Sequence, residues 1–162
     1  MAKILITGGC GYIGSHTSLL LLQKGYDLII LDSNINSSEN IIKRISHVLT
    51  NTNTNISSKL EFYKGDVRNK SVLEKIFLDS IDNGKKIEGV IHFSGLKSVQ
   101  ESNLNPLNYW NVNVFGSICL LEIMNKYDCR NLIFSSTASI YGDSEKIPFS
   151  EDCIPQVLNP YT

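Results

Sequence analysis

A short apolar run, Lys3–Thr7, gives way to Gly8-Gly9-Cys10-Gly11-Tyr12-Ile13-Gly14, and that loop leads directly into a helical pattern over 12–24. Gly8, Gly11 and Gly14 have GxxGxxG spacing. In a strand–loop–helix unit the first such glycine makes the tight turn and the second lets backbone approach a pyrophosphate. The third lets helix and sheet pack closely. The helix start adds unpaired N–H groups and a partial positive charge, which suit a phosphate. Glycines punctuate many turns, so the triplet points to a dinucleotide only because strand, loop and helix follow in that order. Asp32 ends the next apolar run, near the roughly 20-residue offset of a ribose-binding acid. Its carboxylate can accept from both ribose hydroxyls and repels a 2′-phosphate, which predicts NAD over NADP. A solvated strand-end carboxylate is the plainer alternative.

The rest of the chain repeats the alternation. Lys3–Thr7, Leu28–Asp32, Leu60–Lys64, Val90–Phe93 and Leu132–Ser135 read as strands buried on both faces, as in a parallel sheet. Between them the spacing predicts helices over 12–24, 38–48, 70–83 and 106–127. The third is capped by Asn69 or Ser71 and the fourth opens near Pro106. The expected fold is α/β, a Rossmann-type doubly wound parallel sheet. A chain of 162 residues that is 42% hydrophobic makes one domain, 1–162, with a real core. Fifteen Lys and Arg against 16 Asp and Glu leave a net charge of -1, which argues against a nucleic-acid partner. Cys10, Cys119, Cys129 and Cys153 form no CxxC pair, and His16, His47 and His92 are scattered. No metal site is expected, and the cysteines read as filler in a reducing cytosol. No stretch approaches the ~18 apolar residues of a membrane span, so a soluble, cytoplasmic protein without a membrane partner is expected. The polar stretch Thr50–Ser58 reads as a surface insertion. Beyond Tyr141 the chain turns loop-like through Pro148, Pro155 and Pro160 and stops at Thr162. It reads as truncated before the closing elements and a substrate domain, with apolar surface left uncovered.

The strand ends carry the remaining chemistry. Gly65-Asp66-Val67-Arg68 closes the third strand: Asp66 can accept from an adenine amino group while Val67 covers the ring, or Asp66 can simply cap the next helix. Ile91-His92-Phe93-Ser94-Gly95-Leu96-Lys97 closes the fourth. Loops beyond the carboxyl ends of the first and fourth strands flank the crevice of such a sheet, where Gly95 allows close approach and Lys97 can reach a ribose or phosphate. His92, inside a strand, reads as a satisfied core residue. Phe134-Ser135-Ser136-Thr137 ends the fifth strand in hydroxyls, with Thr137 where a substrate hydroxyl would lie.

Together these phrases resemble the extended short-chain dehydrogenase/reductase superfamily, and within it the UDP-hexose 4-epimerases. The resemblance covers the whole chain: TGGCGYIGSHT (7–17), LDSNINS (31–37), GDVRN (65–69), IHFSGLKSVQES (91–102), FSSTASIYGD (134–143) and NPYT (159–162). The fourth is the most specific, because related dehydratases differ there. The resemblance implies NAD as cofactor, contacted by Gly8, Gly11, Tyr12, Ile13 and Gly14. It also implies contacts from Asp32, Ser33, Asn34, Ile35, Asn36 and Ser37, from Asp66 and Val67, from Phe93, Ser94, Gly95, Leu96 and Lys97, and from Asn113. It implies a UDP-hexose substrate and a homodimer at full length. Tyr161 matches the tyrosine of a YxxxK pattern and Thr137 the hydroxyl residue that bonds the sugar 4-OH, so both are expected at catalysis and substrate binding.

In the mechanism so implied, tyrosinate takes the 4-OH proton, hydride leaves C4 for NAD+, the 4-keto sugar rotates, and hydride returns to its other face. An ordinary phenol is only about 0.1% ionised at pH 7, and the pattern's lysine would fall four residues after Tyr161, past Thr162. The chain alone is therefore expected to be inactive. Three positions depart from the pattern: Val112 precedes Asn113 where two asparagines are frequent, and Ser94 and Gln100 replace frequent Ala and Gly. Other NAD-dependent sugar-nucleotide chemistry (a 4,6-dehydratase or uronate epimerase) and a catalytically dead nucleotide-binding module are the competing readings.

Overall fold

The structure, a computed structural model, describes residues 2–51, 59–143 and 147–162. Five strands form one parallel sheet: β1 (Lys3–Thr7), β2 (Asp27–Asp32), β3 (Leu60–Lys64), β4 (Ile87–His92) and β5 (Asn131–Phe134), in the order β3-β2-β1-β4-β5. Every pairing is parallel. These are the first five strands of the doubly wound order 3-2-1-4-5-6, one complete half (β3-β2-β1) and two strands of the second, with the order reversing between β1 and β4. The insertion expected at Thr50–Ser58 lies almost wholly outside the described residues.

Period-two alternation sorts the core onto two faces. Leu5, Ile29, Leu31 and Val90 pack with α3 (Lys70–Asp82) and with α6 (Gly116–Lys126), through Leu73, Ile76, Phe77, Leu120 and Met124. Ile6, Leu28 and Ile30 pack on the other face with Leu22 of α1 (Tyr12–Gln23) and Ile45 of α2 (Asn40–Asn51). Each such fully buried Leu or Ile contributes roughly 1.5–3 kcal/mol relative to exposure. Asn69 caps α3, its side chain accepting from the Ser71 and Val72 amides. All four cysteines are free and buried.

Three expectations are corrected. β5 is exposed along its whole length, and β3 is only half-buried; both are edge strands, each flanked by a neighbour on one side alone. The helix read as continuous over 106–127 is instead α5 (Pro106–Tyr109), a π-helical stretch Trp110–Phe115, and α6. A helix was missed altogether: α4, Val99–Leu104. Its signal stood in the sequence as Ser98-Val99-Gln100-Glu101, the S-x-x-E of a capping box. The Ser98 hydroxyl accepts from the Glu101 amide at 3.3 Å.

Candidate functional site

The sheet closes at its carboxyl edge through bonds just past the strands. Gly8 N–H donates to Leu31 O (2.8 Å), Phe93 N–H to Thr7 O (2.9 Å), Gly65 N–H to Asp32 O (3.0 Å) and Ser135 N–H to His92 O (3.1 Å). All five strand-end loops therefore leave from one edge, and the sequence-predicted residues leave with them.

The glycine loop is tight because three backbones converge there. Gly8 has φ +70°, and a Cβ on it would stand 2.7 Å from Ser94 N; a Cβ on Gly14 would stand 2.4 Å from Gly8 O. Any side chain at Gly14 would thus lift α1 off the loop. Gly11 is the N-cap of α1 and provides no side-chain bond, and the first helical turn holds no acidic residue. The positive end of α1 thus has neither a capping side chain nor an acidic neighbour in its first turn. Tyr12 and Ile13 lie exposed beside it.

Asp32 is tied to this loop. Its Oδ2 accepts from Cys10 N–H at 2.9 Å, and its Oδ1 from Asn34 N–H at 2.9 Å and the Ser37 hydroxyl at 2.8 Å. Asn34 takes a left-handed conformation, φ +56°, to make the turn. Ser33 is half-buried, and Ile35 and Asn36 are exposed. Burial, followed by the Asp32 charge, pushes the Cys10 thiol up to about 11, so it stays protonated at neutral pH.

Asp66 is gripped by Arg68: Oδ1 accepts from the Arg68 amide (2.8 Å) and Nε (2.9 Å), and Oδ2 from a guanidinium NH2 (2.5 Å). The bond to Arg68 holds its carboxyl below the usual range. A base amino group would share that carboxylate with the guanidinium. Val67, expected to cover the adenine ring, is mostly buried in the core. It is buried against Gly116, whose added Cβ would lie 2.8 Å from Val67 Cγ1.

Around β4 the polar groups form a chain. His92, 2% exposed, bonds Thr7 Oγ1 through Nδ1 (2.5 Å) and Ser117 Oγ through Nε2 (3.0 Å), and burial lowers its pKa to about 4. A neutral imidazole with both nitrogens engaged is a core residue, not a base. Ser94 N–H reaches Thr7 Oγ1 at 3.4 Å. Asn113 bonds both backbone groups of Leu96. Lys97 is exposed and makes no ion pair among the described residues.

Thr137 and Tyr161 are not joined by a hydrogen bond among the described residues. Thr137 caps a 3-10 turn, Ala138–Tyr141, with its hydroxyl 2.6 Å from that of Ser139. The Tyr161 ring meets Tyr109 edge-on, centroids 6.3 Å apart. Both tyrosines line an open cleft of about 650 Å³ with Trp110, Asn113 and Asn159. Sequence reasoning missed Tyr109, whose hydroxyl donates to Glu101 and accepts from Ser98 N–H, each at 3.0 Å. A tyrosine inside a helical pattern reads as ordinary core. No helix of the described residues is long and apolar enough to cross a membrane.

Known proteins share this sequence pattern and fold. Residues 5–162 match the family model for GDP-mannose 4,6 dehydratase. The bifunctional UDP-glucose 4-epimerase and UDP-xylose 4-epimerase 1 of Pisum sativum is 46% identical over 159 residues, covering 98% of this chain and 43% of that protein. The UDP-glucose 4-epimerase of Neisseria gonorrhoeae is 45% identical over 159 residues, covering 98% and 44%. Among solved structures, UDP-glucose 4-epimerase from Bifidobacterium longum in complex with NAD+ and UDP superposes with a TM-score of 0.88 at 35% identity, covering 99% of this chain and 44% of that one. The chain spans less than half the length of these relatives. With the family model running from residue 5 to residue 162 and epimerases on either side of the comparison, the chain belongs to the GDP-mannose 4,6 dehydratase family.

Proposed function

We propose that residues 1–162 are the NAD-binding Rossmann domain of a UDP-hexose 4-epimerase. The observation that carries this reading is the bond from Cys10 N–H to Asp32, which makes the phosphate loop and the ribose acid one rigid unit. The site fits the cofactor: Gly8 and Gly14 leave no room for a Cβ, the start of α1 has no side-chain cap and no acidic residue in its first turn, and Asp32 offers a carboxylate that ribose hydroxyls could use. NAD, when bound, supplies a reversible hydride acceptor. The α1 N-terminus would hold the pyrophosphate, Asp32 and its turn through Ser37 the adenine ribose, and Asp66, beside Arg68, the base amino group. Phe93–Lys97 would border the nicotinamide.

For the whole protein, Tyr161 takes the proton of the sugar 4-hydroxyl and Thr137 holds that hydroxyl by a hydrogen bond. Epimerase relatives at 46% and 45% identity support this assignment. The protein would work in the cytosol on nucleotide sugars of galactose metabolism. A homodimer fits the apolar stripe Leu107, Trp110, Val114, Ile118 and Leu121, exposed on one helix side. A dehydratase acting on a nucleotide hexose is the second reading, favoured by the family model alone.

The deciding experiment joins residues 1–162 to the remaining C-terminal portion of the pea relative. UDP-galactose and GDP-mannose are then offered with NAD. Conversion of UDP-galactose to UDP-glucose, abolished by Tyr161→Phe, is the expected outcome; water loss from either sugar, or an active Tyr161→Phe variant, refutes it.

A further inference from the structure

Tyr109, 1% exposed, is the largest of the fully buried side chains, and its phenol is fastened at the tip. The hydroxyl accepts from Ser98 N–H and donates to Glu101 Oε2, each at 3.0 Å. Ser98 is the N-cap of α4, so the phenol is anchored to the start of that helix. Burial, and then the bond to Glu101, raise the Tyr109 pKa above the ordinary phenol value, so this ring stays neutral. Anchored in this way, it meets the Tyr161 ring edge-on, with centroids 6.3 Å apart and planes at 79°. Aromatic pairs favour that arrangement over a face-to-face sandwich.

Tyr161 is also held from its backbone. Asn159 Oδ1 accepts from Thr162 N–H at 3.1 Å, and Thr162 Oγ1 accepts from Asn159 N–H at 3.4 Å. Pro160, inside this turn, has its φ set by its own ring. The reciprocal bonds fix the path of the chain through Tyr161 and leave its phenol to move about χ1 and χ2. An anchored ring against it restricts those torsions.

We propose that Tyr109 is a positioning residue for Tyr161: pinned through Ser98 and Glu101, its ring braces the Tyr161 phenol for the sugar 4-hydroxyl. This rests on the reading of Tyr161 as the proton acceptor. A brace of this kind governs the rate of the chemical step more than the hold on substrate, because a reacting group displaced by about 1 Å can cost about a hundredfold.

Tyrosine ring resonances of the 162-residue chain, followed by nuclear magnetic resonance, read the contact. Turnover of UDP-galactose by residues 1–162 joined to the pea relative's C-terminal portion reads its consequence. In Tyr109→Leu the Tyr161 ring signals are expected to move toward those of a free tyrosine. Tyr127, stacked on Phe77 at 5.3 Å, should keep its own signals as a check on folding. In the joined protein kcat per bound NAD should fall about ten- to a hundredfold, with KM within about twofold of the parent. Tyr109→Phe keeps the ring, so it should retain the Tyr161 signals and recover most of the rate, a rescue that a purely hydrogen-bonding role would not give. Unmoved Tyr161 signals in Tyr109→Leu overturn the proposal. A Phe variant no faster than the Leu variant places the effect in the hydroxyl's bonds and overturns it too. If the parent joined protein interconverts no UDP-galactose, the reading of Tyr161 falls and this role with it; an active parent matched by an equally fast Leu variant defeats this role alone.

Discussion

His92 shows how one buried side chain makes stability depend on pH. Its imidazole bonds Thr7 and Ser117, and burial lowers its pKa from 6.5 to about 4. The unfolded chain takes up this proton below about 6.5, whereas the native chain waits until about 4. The unfolded state thus holds more protons within that window, and stability falls as pH drops from about 6.5 to about 4, by up to about 3 kcal/mol. Urea titrations across pH 4–8 are expected to show this slope for the parent chain and a flatter profile for His92→Asn. Asp27, Asp66 and Asp79, whose pKa values are lowered, lose their contributions only at lower pH, so the two effects separate. Asp32 carries the cofactor prediction. Asp32→Ala should narrow the preference for NAD(H) over NADP(H) in competitive binding, because the ribose acceptor and the charge opposing a 2′-phosphate leave together. The parent binding NADP(H) equally well would defeat that assignment. The same change strands Cys10 N–H, Asn34 N–H and Ser37, so the variant should also melt earlier.

At the scale of elements, glycines and caps decide where the backbone can go. Gly14→Ala would place a methyl group 2.4 Å from Gly8 O and 2.8 Å from Gly9 Cα, all backbone with nowhere to move. The expected cost is about 1–3 kcal/mol, with dinucleotide binding lost beyond what destabilisation explains; chemical unfolding and NADH titration read the two. Asn69→Ala should cost about 1 kcal/mol by removing the α3 cap, and leave binding unchanged. Both positions were legible in the sequence, since a glycine after a strand and an Asn before an apolar helix are local signals. The π turn was not. Nothing in Trp110-Asn111-Val112-Asn113-Val114-Phe115 departs from a helical pattern, so the wider turn left no local signal.

At the scale of the molecule, both faces of the sheet are packed around β1 and β2, and the β5 edge is bare. Ile133 and Phe134 of β5 are 64% and 59% exposed, and Leu107, Trp110, Ile118 and Leu121 are exposed on the neighbouring helix. Apolar surface of this kind marks an interface or an aggregation liability. The 162-residue chain should therefore self-associate at micromolar concentration in sedimentation velocity, and Ile118→Glu with Leu121→Lys should reduce that association. A clean monomer of the parent chain with a sharp, reversible melt would contradict it.

The amino-acid order alone determined the sheet and the phosphate loop, because both rest on local rules. Two-sided apolar runs such as Leu28–Leu31, alternating with helical patterns, fit strands buried on both faces of a parallel sheet, and GxxGxxG between strand and helix fits a tight turn. Tertiary structure decided what depends on residues distant in sequence. β5 has the same apolar composition as its neighbours, yet it is exposed because its burial is set by what lies beyond an edge. Val67 sits in a ligand-side motif, yet the absence of a side chain at Gly116 draws it into the core. Asp66 was legible as a carboxylate but not as the partner of Arg68, two residues on, because the fork closes only when the turn folds. Asn113 was expected from the resemblance as a cofactor contact; its two hydrogen bonds to Leu96 N–H and C=O follow from tertiary structure, which brings its helix against the loop after β4.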